Sequence, residues 1–157
     1  MNFNNFTIKS QEAVQQAIQL VQNRGQQAIE AEHLLAGVLK VGENVTNFLF
    51  QKLGMNGPQI ANVLDKQIAS LPKVTGGEPY LSRTANEVLQ KSVELSKGLG
   101  DEYVSLEAML LTQFVDGGAE VFLVHSRILQ YGAGCAFDIQ QCQEQCFQGY
   151  ILVAQPF

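Results

Sequence analysis

The chain has no tryptophan and few basic residues. It contains ten lysines and arginines in total, compared with fifteen aspartates and glutamates. Its net charge of −5 and isoelectric point of about 4.9 argue against a dedicated nucleic-acid-binding protein, which normally presents a basic face. No apolar run approaches the roughly 18 residues of a membrane-spanning helix, and the N-terminus has no signal-like basic and apolar pattern. For these 157 residues we expect one cytoplasmic domain without membrane contact.

Cysteine is scarce and confined to the last quarter, at Cys135, Cys142 and Cys146, and an odd count argues against a closed set of disulfides. With His125 these thiols could supply zinc ligands, but no pair has the tight spacing of a zinc knuckle, so we expect neither metal nor other cofactor. A small hydrolase or redox enzyme that uses His33 or His125 with a cysteine is the alternative. No catalytic motif supports it, so we expect no enzyme activity.

One segment occurs twice, 75 positions apart: the sequence from Ile29 to Leu35 returns, with changes, from Val104 to Leu110. A helical unit that recurs in this way usually cannot bury its apolar stripe alone and is completed by its twin. The sequence therefore predicts an all-α, pseudo-symmetric double repeat of a four-helix unit. The correspondence stops near Gln113, so the second repeat is expected to be incomplete.

Helical spacing of apolar residues predicts four helices in the first unit, at about 10–23, 30–40, 45–53 and 58–71. In the second unit, Thr84 and Glu87 have capping-box spacing, and Ser105 is placed to cap a further helix. The expected organisation is a first repeat at 1–71, a linker at 72–80, half of a second repeat at 81–113 and a tail at 114–157. The predicted core consists of Val14, Ile18, Val21, Leu34, Leu35, Ile60, Val63, Leu64 and Ile68.

The tail differs in composition from the rest of the chain. From residue 115 onward it has no lysine or asparagine, but seven glutamines and every cysteine. Read codon by codon on the opposite strand, with permitted codons, it yields a segment that parallels residues 99–111. We hypothesise that the tail is inverted or spurious sequence without homology to the repeats. Val88, Leu89, Val93, Leu106, Met109 and Leu110 would then lack a covering pair of helices.

Many short sequences in order over residues 1–113 resemble the N-terminal repeat domain of the Clp heat-shock chaperones, most closely its ClpB-like disaggregase branch. They include Glu32-His33-Leu34-Leu35, Leu71-Pro72-Lys73-Val74 and the stretch from Leu99 to Ser105. The resemblance implies a non-enzymatic module that binds unfolded or aggregated clients, or adaptor proteins, for a hexameric ATPase. The chain has no Gly-x-x-x-x-Gly-Lys-Ser/Thr sequence, so the expectation is a monomeric fragment without the motor.

The resemblance also implies the site residues. In ClpB-like relatives, a threonine near the N-terminus and acidic residues of the second repeat engage clients, which points to Thr7, Asp101 and Glu107 here. In ClpC-like relatives, paired glutamates contact phosphorylated arginine, which points to Glu32 and Glu107. Ala108 departs from the pattern, which usually repeats the histidine found at His33. A stand-alone adaptor-binding protein and a non-functional gene fragment stay open as alternatives, and plain helix-terminal electrostatics could explain both glutamates.

Overall fold

A computed structural model describes residues 3–52, 56–74 and 76–115 of the chain. In these ranges the elements are α1 (Ile8–Asn23), β1 (Ala28–Ile29), α2 (Ala31–Val41), α3 (Glu43–Lys52), α4 (Gly57–Ser70), β2 (Tyr80–Leu81), α5 (Arg83–Leu99) and α6 (Leu106–Val115). The predicted all-α class is confirmed. Among the helices of these ranges, none combines the length and the apolar character needed to cross a bilayer.

Hydroxyl side chains determine where the first helix of each repeat begins. Thr7 is the N-cap of α1, and its Oγ1 accepts a hydrogen bond from the backbone N–H of Ser10 at 3.3 Å. Ser82 occupies the equivalent position 75 residues later and accepts from the N–H of Ala85 at 3.1 Å. Each cap satisfies a backbone donor that has no partner within its helix, so α1 begins two residues before the predicted start.

The capping-box prediction for Thr84 and Glu87 is wrong. Because Ser82 is the N-cap of α5, Thr84 already lies in the first helical turn. The Glu87 carboxylate pairs instead with the guanidinium of Arg83, at 2.8 Å. The Thr84 hydroxyl donates across the molecule to Oε2 of Glu30 at 2.6 Å, so this residue joins the two repeats rather than closing its own helix.

Most of the predicted core is confirmed. Leu34, Leu35, Ile60, Leu64, Ile68, Val14 and Val21 are buried, whereas Ile18 and Val63 are partly buried at the edge. The crossing of α1 and α2 depends on Gly37, because a Cβ there would lie 2.1 Å from the carbonyl oxygen of Ala13. Helix α2 can therefore approach the backbone of α1 only with glycine at this position.

The second repeat shares this core. The expectation that its apolar residues would lie uncovered is wrong: Val88, Leu89, Leu106, Met109 and Leu110 are buried in the same cluster as α1 and α2, and Val93 packs against it. The two repeats therefore form one hydrophobic core. The positions at which a complete second repeat would have its third and fourth helices lie outside the described residues, as do the cysteines, His125 and the predicted end of the third helix in the first repeat.

Candidate functional site

Two short backbone pairings join the repeats, and they are related by the 75-residue period. Phe6 pairs in parallel with Val104, and Leu81 pairs in parallel with Ile29. Positions 6 and 81 precede the first helix of each repeat, whereas positions 29 and 104 precede the second. Each repeat therefore completes the other. We call the pairing at Phe6 the first corner and the pairing at Leu81 the second corner.

At the first corner, a relay of hydroxyl groups joins the start of α1 to the other repeat. The carbonyl oxygen of Val104 accepts from the backbone N–H of Thr7 at 3.0 Å and from the Ser10 hydroxyl at 2.9 Å. Thr7 Oγ1 lies 2.8 Å from Ser10 Oγ. Because the Ser10 proton is used on Val104, the Thr7 hydroxyl donates to Ser10. Thr7 therefore has a structural role in addition to any contact with a ligand.

The second corner repeats this design with different chemistry. The N–H of Ser82 donates to the carbonyl oxygen of Ile29 at 3.0 Å. The hydroxyls of Ser82 and Thr84 lie 2.8 Å apart, and the Thr84 proton goes to the Glu30 carboxylate. A carboxylate thus terminates the relay here, whereas a backbone carbonyl terminates it at the first corner.

The four predicted site residues divide between the corners. Thr7 and Glu107 lie at the starts of α1 and α6, on either side of the first pairing, and Asp101 lies just before Val104. Glu32, in the first turn of α2, belongs to the second corner. Three of the four residues therefore flank one structural feature, and the fourth takes the equivalent place at the other.

Asp101 owes its position to a left-handed turn. Gly100 ends α5 with φ of +81°, a conformation that glycine adopts without strain, and the N–H of Asp101 bonds back to the carbonyl of Ser96 at 2.9 Å. The Asp101 side chain is exposed. The chain continues from Asp101 to the first corner at Val104, three residues later. The end of α5 therefore places an acidic residue close in sequence to this corner.

Exposed apolar side chains at the first corner were missed by the sequence reasoning. Ile8 is 77% exposed, directly after the cap of α1, and Tyr103 is 49% exposed beside Val104. At the second corner the equivalent positions hold Arg83 and Ala28. A residue-by-residue comparison of the repeats at these two positions would have shown the difference. The second corner has one large exposed apolar side chain of its own, Tyr80 at 57%, so within the described residues the first corner differs in having two.

His33 is a buried structural residue, as its position in an apolar stretch indicates. Its Nδ1 accepts from the N–H of Glu30 at 3.0 Å, so Nε2 carries the proton and donates to Oε1 of Gln26 at 2.9 Å. The Gln26 amide in turn donates to the carbonyl oxygens of Ile68 at 2.7 Å and Leu71 at 3.3 Å. The imidazole therefore connects the start of α2 to the end of α4.

Burial lowers the pKa of His33 from 6.5 to about 4. The carboxylate of Glu30 opposes this shift, and the positive charge of Arg24 adds to it. At neutral pH the ring is uncharged, and both of its nitrogens are engaged. Such a group has no free lone pair for acid–base chemistry on a substrate.

Comparison with known proteins is consistent with this architecture. Residues 5–125 match the family described as "Clp repeat (R) N-terminal domain". The chaperone protein ClpB of Bacteroides thetaiotaomicron is 76% identical over 111 residues, which cover 71% of this chain and 13% of that protein. The ClpB of Porphyromonas gingivalis is 46% identical over 155 residues, covering 92% of this chain and 18% of that protein. The chain thus spans less than a fifth of these relatives.

Solved structures show the same fold at low sequence identity. The Hsp104 N-terminal domain from Candida albicans superimposes with a TM-score of 0.76 at 14% identity, covering 94% of this chain and 92% of that one. The N-terminal domain of the ClpV1 ATPase from E. coli gives 0.74 at 19% identity, covering 98% and 88%. The matched region is the N-terminal repeat domain of these chaperones, not their ATPase part. This chain belongs to the Clp repeat N-terminal domain family and is a chaperone module of the ClpB type.

Proposed function

We propose that this module captures unfolded or aggregated polypeptides at the first corner, as the client-binding part of a ClpB-like disaggregase. The observation that carries the proposal is that Ile8 and Tyr103 are both exposed on the two segments that pair at Phe6 and Val104, and that Asp101 and Glu107 lie close in sequence to the same pairing. Unfolded chains expose apolar side chains that folded proteins bury, and an exposed apolar pair with a charged rim suits them.

The acidic residues of the first corner provide selectivity. Asp101 and Glu107, with the exposed Glu102, favour client segments in which apolar residues adjoin lysine or arginine. Charges at an exposed rim act more on the encounter rate and the choice of partner than on affinity, since each is worth about 0.2–1 kcal/mol. Capture is therefore weak and reversible, as delivery of a client to a motor requires.

Glu32 and Thr7 have supporting roles in this proposal. Glu32 offers a carboxylate at the second corner equivalent to that of Glu107, so adaptors or charged clients engage both positions. Thr7 aligns the start of α1 through its relay to Val104, which fixes the direction of Ile8. The chain works in the cytoplasm as part of a longer chaperone, and alone it is a monomer.

Fluorescence anisotropy with labelled casein, an unfolded protein, tests the proposal. Ile8→Ser and Tyr103→Ser should each raise the Kd by about fivefold or more, because an apolar contact is lost. Glu107→Gln should raise it by about two- to fivefold and reduce its dependence on salt. Val74→Ser is the matched control, since Val74 is 50% exposed but lies in the linker.

The Thr7 position needs its own pair of variants. Thr7→Ala should weaken casein binding and lower stability by about 1 kcal/mol through loss of the cap, whereas Thr7→Ser should restore both. The proposal fails if Val74→Ser weakens binding as much as Ile8→Ser. It also fails if none of the first-corner variants changes the Kd.

A further inference from the structure

A cavity of about 400 Å³ lies within the first repeat, away from both corners. Its volume lies within the range of about 300–1,000 Å³ that is typical of ligand pockets. Leu20 and Leu39 are partly buried in its walls, and Leu64 and Ile68 form the buried floor. The cavity opens between α1, α2 and α4 of this repeat.

The cavity exists because α2 carries small residues at this point. Ala36 and Gly37 line it, whereas the equivalent positions of the second repeat, 75 residues later, hold Leu111 and Thr112. Ala36 is partly exposed, and a leucine in its place would extend into the open space. The first repeat therefore leaves open a volume that the second repeat has the side chains to fill.

One wall of the cavity is lined with carboxamides. Gln16, Gln19 and Asn23 are spaced three and four residues apart on α1, so they lie along one face of the helix together with Leu20. Each carboxamide can both donate and accept a hydrogen bond. An apolar floor beside such a wall suits a polypeptide segment, whose backbone has the same donors and acceptors.

The charge at the mouth selects between peptides. Lys40 and Asp65 are the charged residues among those that line the cavity in the described part of the chain. The Asp65 carboxylate is already paired with the guanidinium of Arg24. Lys40, in the last turn of α2, is exposed. Because the charges of Asp65 and Arg24 cancel, Lys40 contributes the one net positive charge of these three residues at the mouth.

We propose that this cavity is a second peptide-binding site, which takes a large apolar side chain flanked by carboxylates from a partner polypeptide. The apolar side chain occupies the space over Leu64 beside Ala36, and a carboxylate pairs with Lys40. The site has the opposite charge preference to the first corner. One chain can therefore hold a basic-flanked segment and an acidic-flanked segment at the same time.

Two labelled peptides test the inference on the full 157-residue chain. Both have a Leu-Phe-Leu centre, flanked by glutamates in one and by lysines in the other. Ala36→Leu should raise the Kd of the glutamate peptide by about tenfold or more, because the leucine fills the cavity. Lys40→Glu should raise the same Kd by about five- to tenfold. Neither change should alter the Kd of the lysine peptide by more than about twofold.

Three controls separate the possible outcomes. Lys73→Glu makes the same charge change at an exposed position that does not line the cavity, and it should leave the glutamate peptide within about twofold. Ile8→Ser should weaken only the lysine peptide, so the two proposals fail independently. Thermal melts check that each variant is folded. If Ala36→Leu does not fold, Lys40→Glu still tests the inference, because Lys40 is exposed and its substitution leaves the core unchanged. The inference is overturned if the Lys40→Glu variant binds the glutamate peptide with wild-type affinity. It is also overturned if Lys73→Glu weakens binding of this peptide as much as Lys40→Glu does.

Discussion

His33 should make the stability of this domain fall as the pH drops below neutrality. The folded protein holds the imidazole uncharged between Glu30 and Gln26, with a pKa of about 4 against 6.5 for the free side chain. Because folding lowers the pKa of His33, the imidazole is protonated at a higher pH in the unfolded chain than in the folded one, and protonation therefore favours unfolding. The stabilising contribution is fully present above pH 6.5 and is lost as the pH falls toward 4.

The magnitude follows from the two pKa values. Between pH 7.5 and pH 5 the free energy of unfolding should fall by about 2 kcal/mol, and the complete loss at lower pH amounts to about 3 kcal/mol. Urea unfolding at a series of pH values, followed by circular dichroism, measures this directly. Most carboxylates stay ionised down to pH 5, so the interval isolates histidine.

The chain contains a second histidine, His125, which provides the matched control. His33→Gln keeps an amide donor and acceptor but does not titrate, so most of the loss between pH 7.5 and pH 5 should disappear. His125→Gln should retain the loss. A wild-type stability that stays constant over this interval would refute the reasoning, as would retention of the full loss in His33→Gln.

Leu35→Ala should lower the free energy of unfolding by ~2–5 kcal/mol in urea titrations, because Leu35 is buried in the shared core. Gly37→Ala should cost about 1–3 kcal/mol, since the new Cβ would meet the Ala13 carbonyl. Gly98→Ala, in open space within α5, should instead stabilise by about 0.5–1 kcal/mol, and thermal melts of both variants test the contrast. Calorimetry with ATP and magnesium should show no binding, because the chain has no phosphate-cradling glycine loop followed by lysine; saturable micromolar binding would contradict this.

The helices and most of the core could be predicted from the sequence because their signals are local. Apolar spacing predicted α1 to α4, and the repeat predicted α5 and α6. Helix starts could not all be predicted from the sequence, because several hydroxyl residues near one start can serve as the N-cap. Ser82 rather than Thr84 caps α5, since Ser82 is also fixed by its backbone hydrogen bond to Ile29. The choice of Ser82 as the cap therefore depends on a hydrogen bond to a residue 53 positions away in the sequence, which the local residue pattern around α5 cannot indicate.

The candidate site could be predicted only in part. The resemblance supplied Thr7, Asp101 and Glu107, and the structure adds the common corner that they flank. The reciprocal pairing of positions 6 with 104 and 81 with 29 could not be predicted from periodicity, because the same repeat would also allow each unit to pair within itself. Exposure of Ile8 depends on this pairing, since the pairing fixes the direction in which α1 begins.

The division of the chain at residue 114 and the inverted-tail hypothesis stay predictions. The family match extends to residue 125, and the described residues end at 115. Genomic sequence across codons 110–157 tests the hypothesis. A reading-frame match to a Clp gene on the opposite strand would support inversion, and a match in the forward frame along the whole tail would contradict it.

In the proposed function, this module holds an unfolded client at the first corner. Titration of the ¹⁵N-labelled chain with unlabelled casein, followed by amide NMR shifts, tests it most directly. We predict the largest shifts at Thr7, Ile8, Tyr103 and Glu107, with smaller changes at the equivalent residues of the second corner. Shifts confined to α3 and the linker, with the first corner unchanged at saturation, would contradict the account.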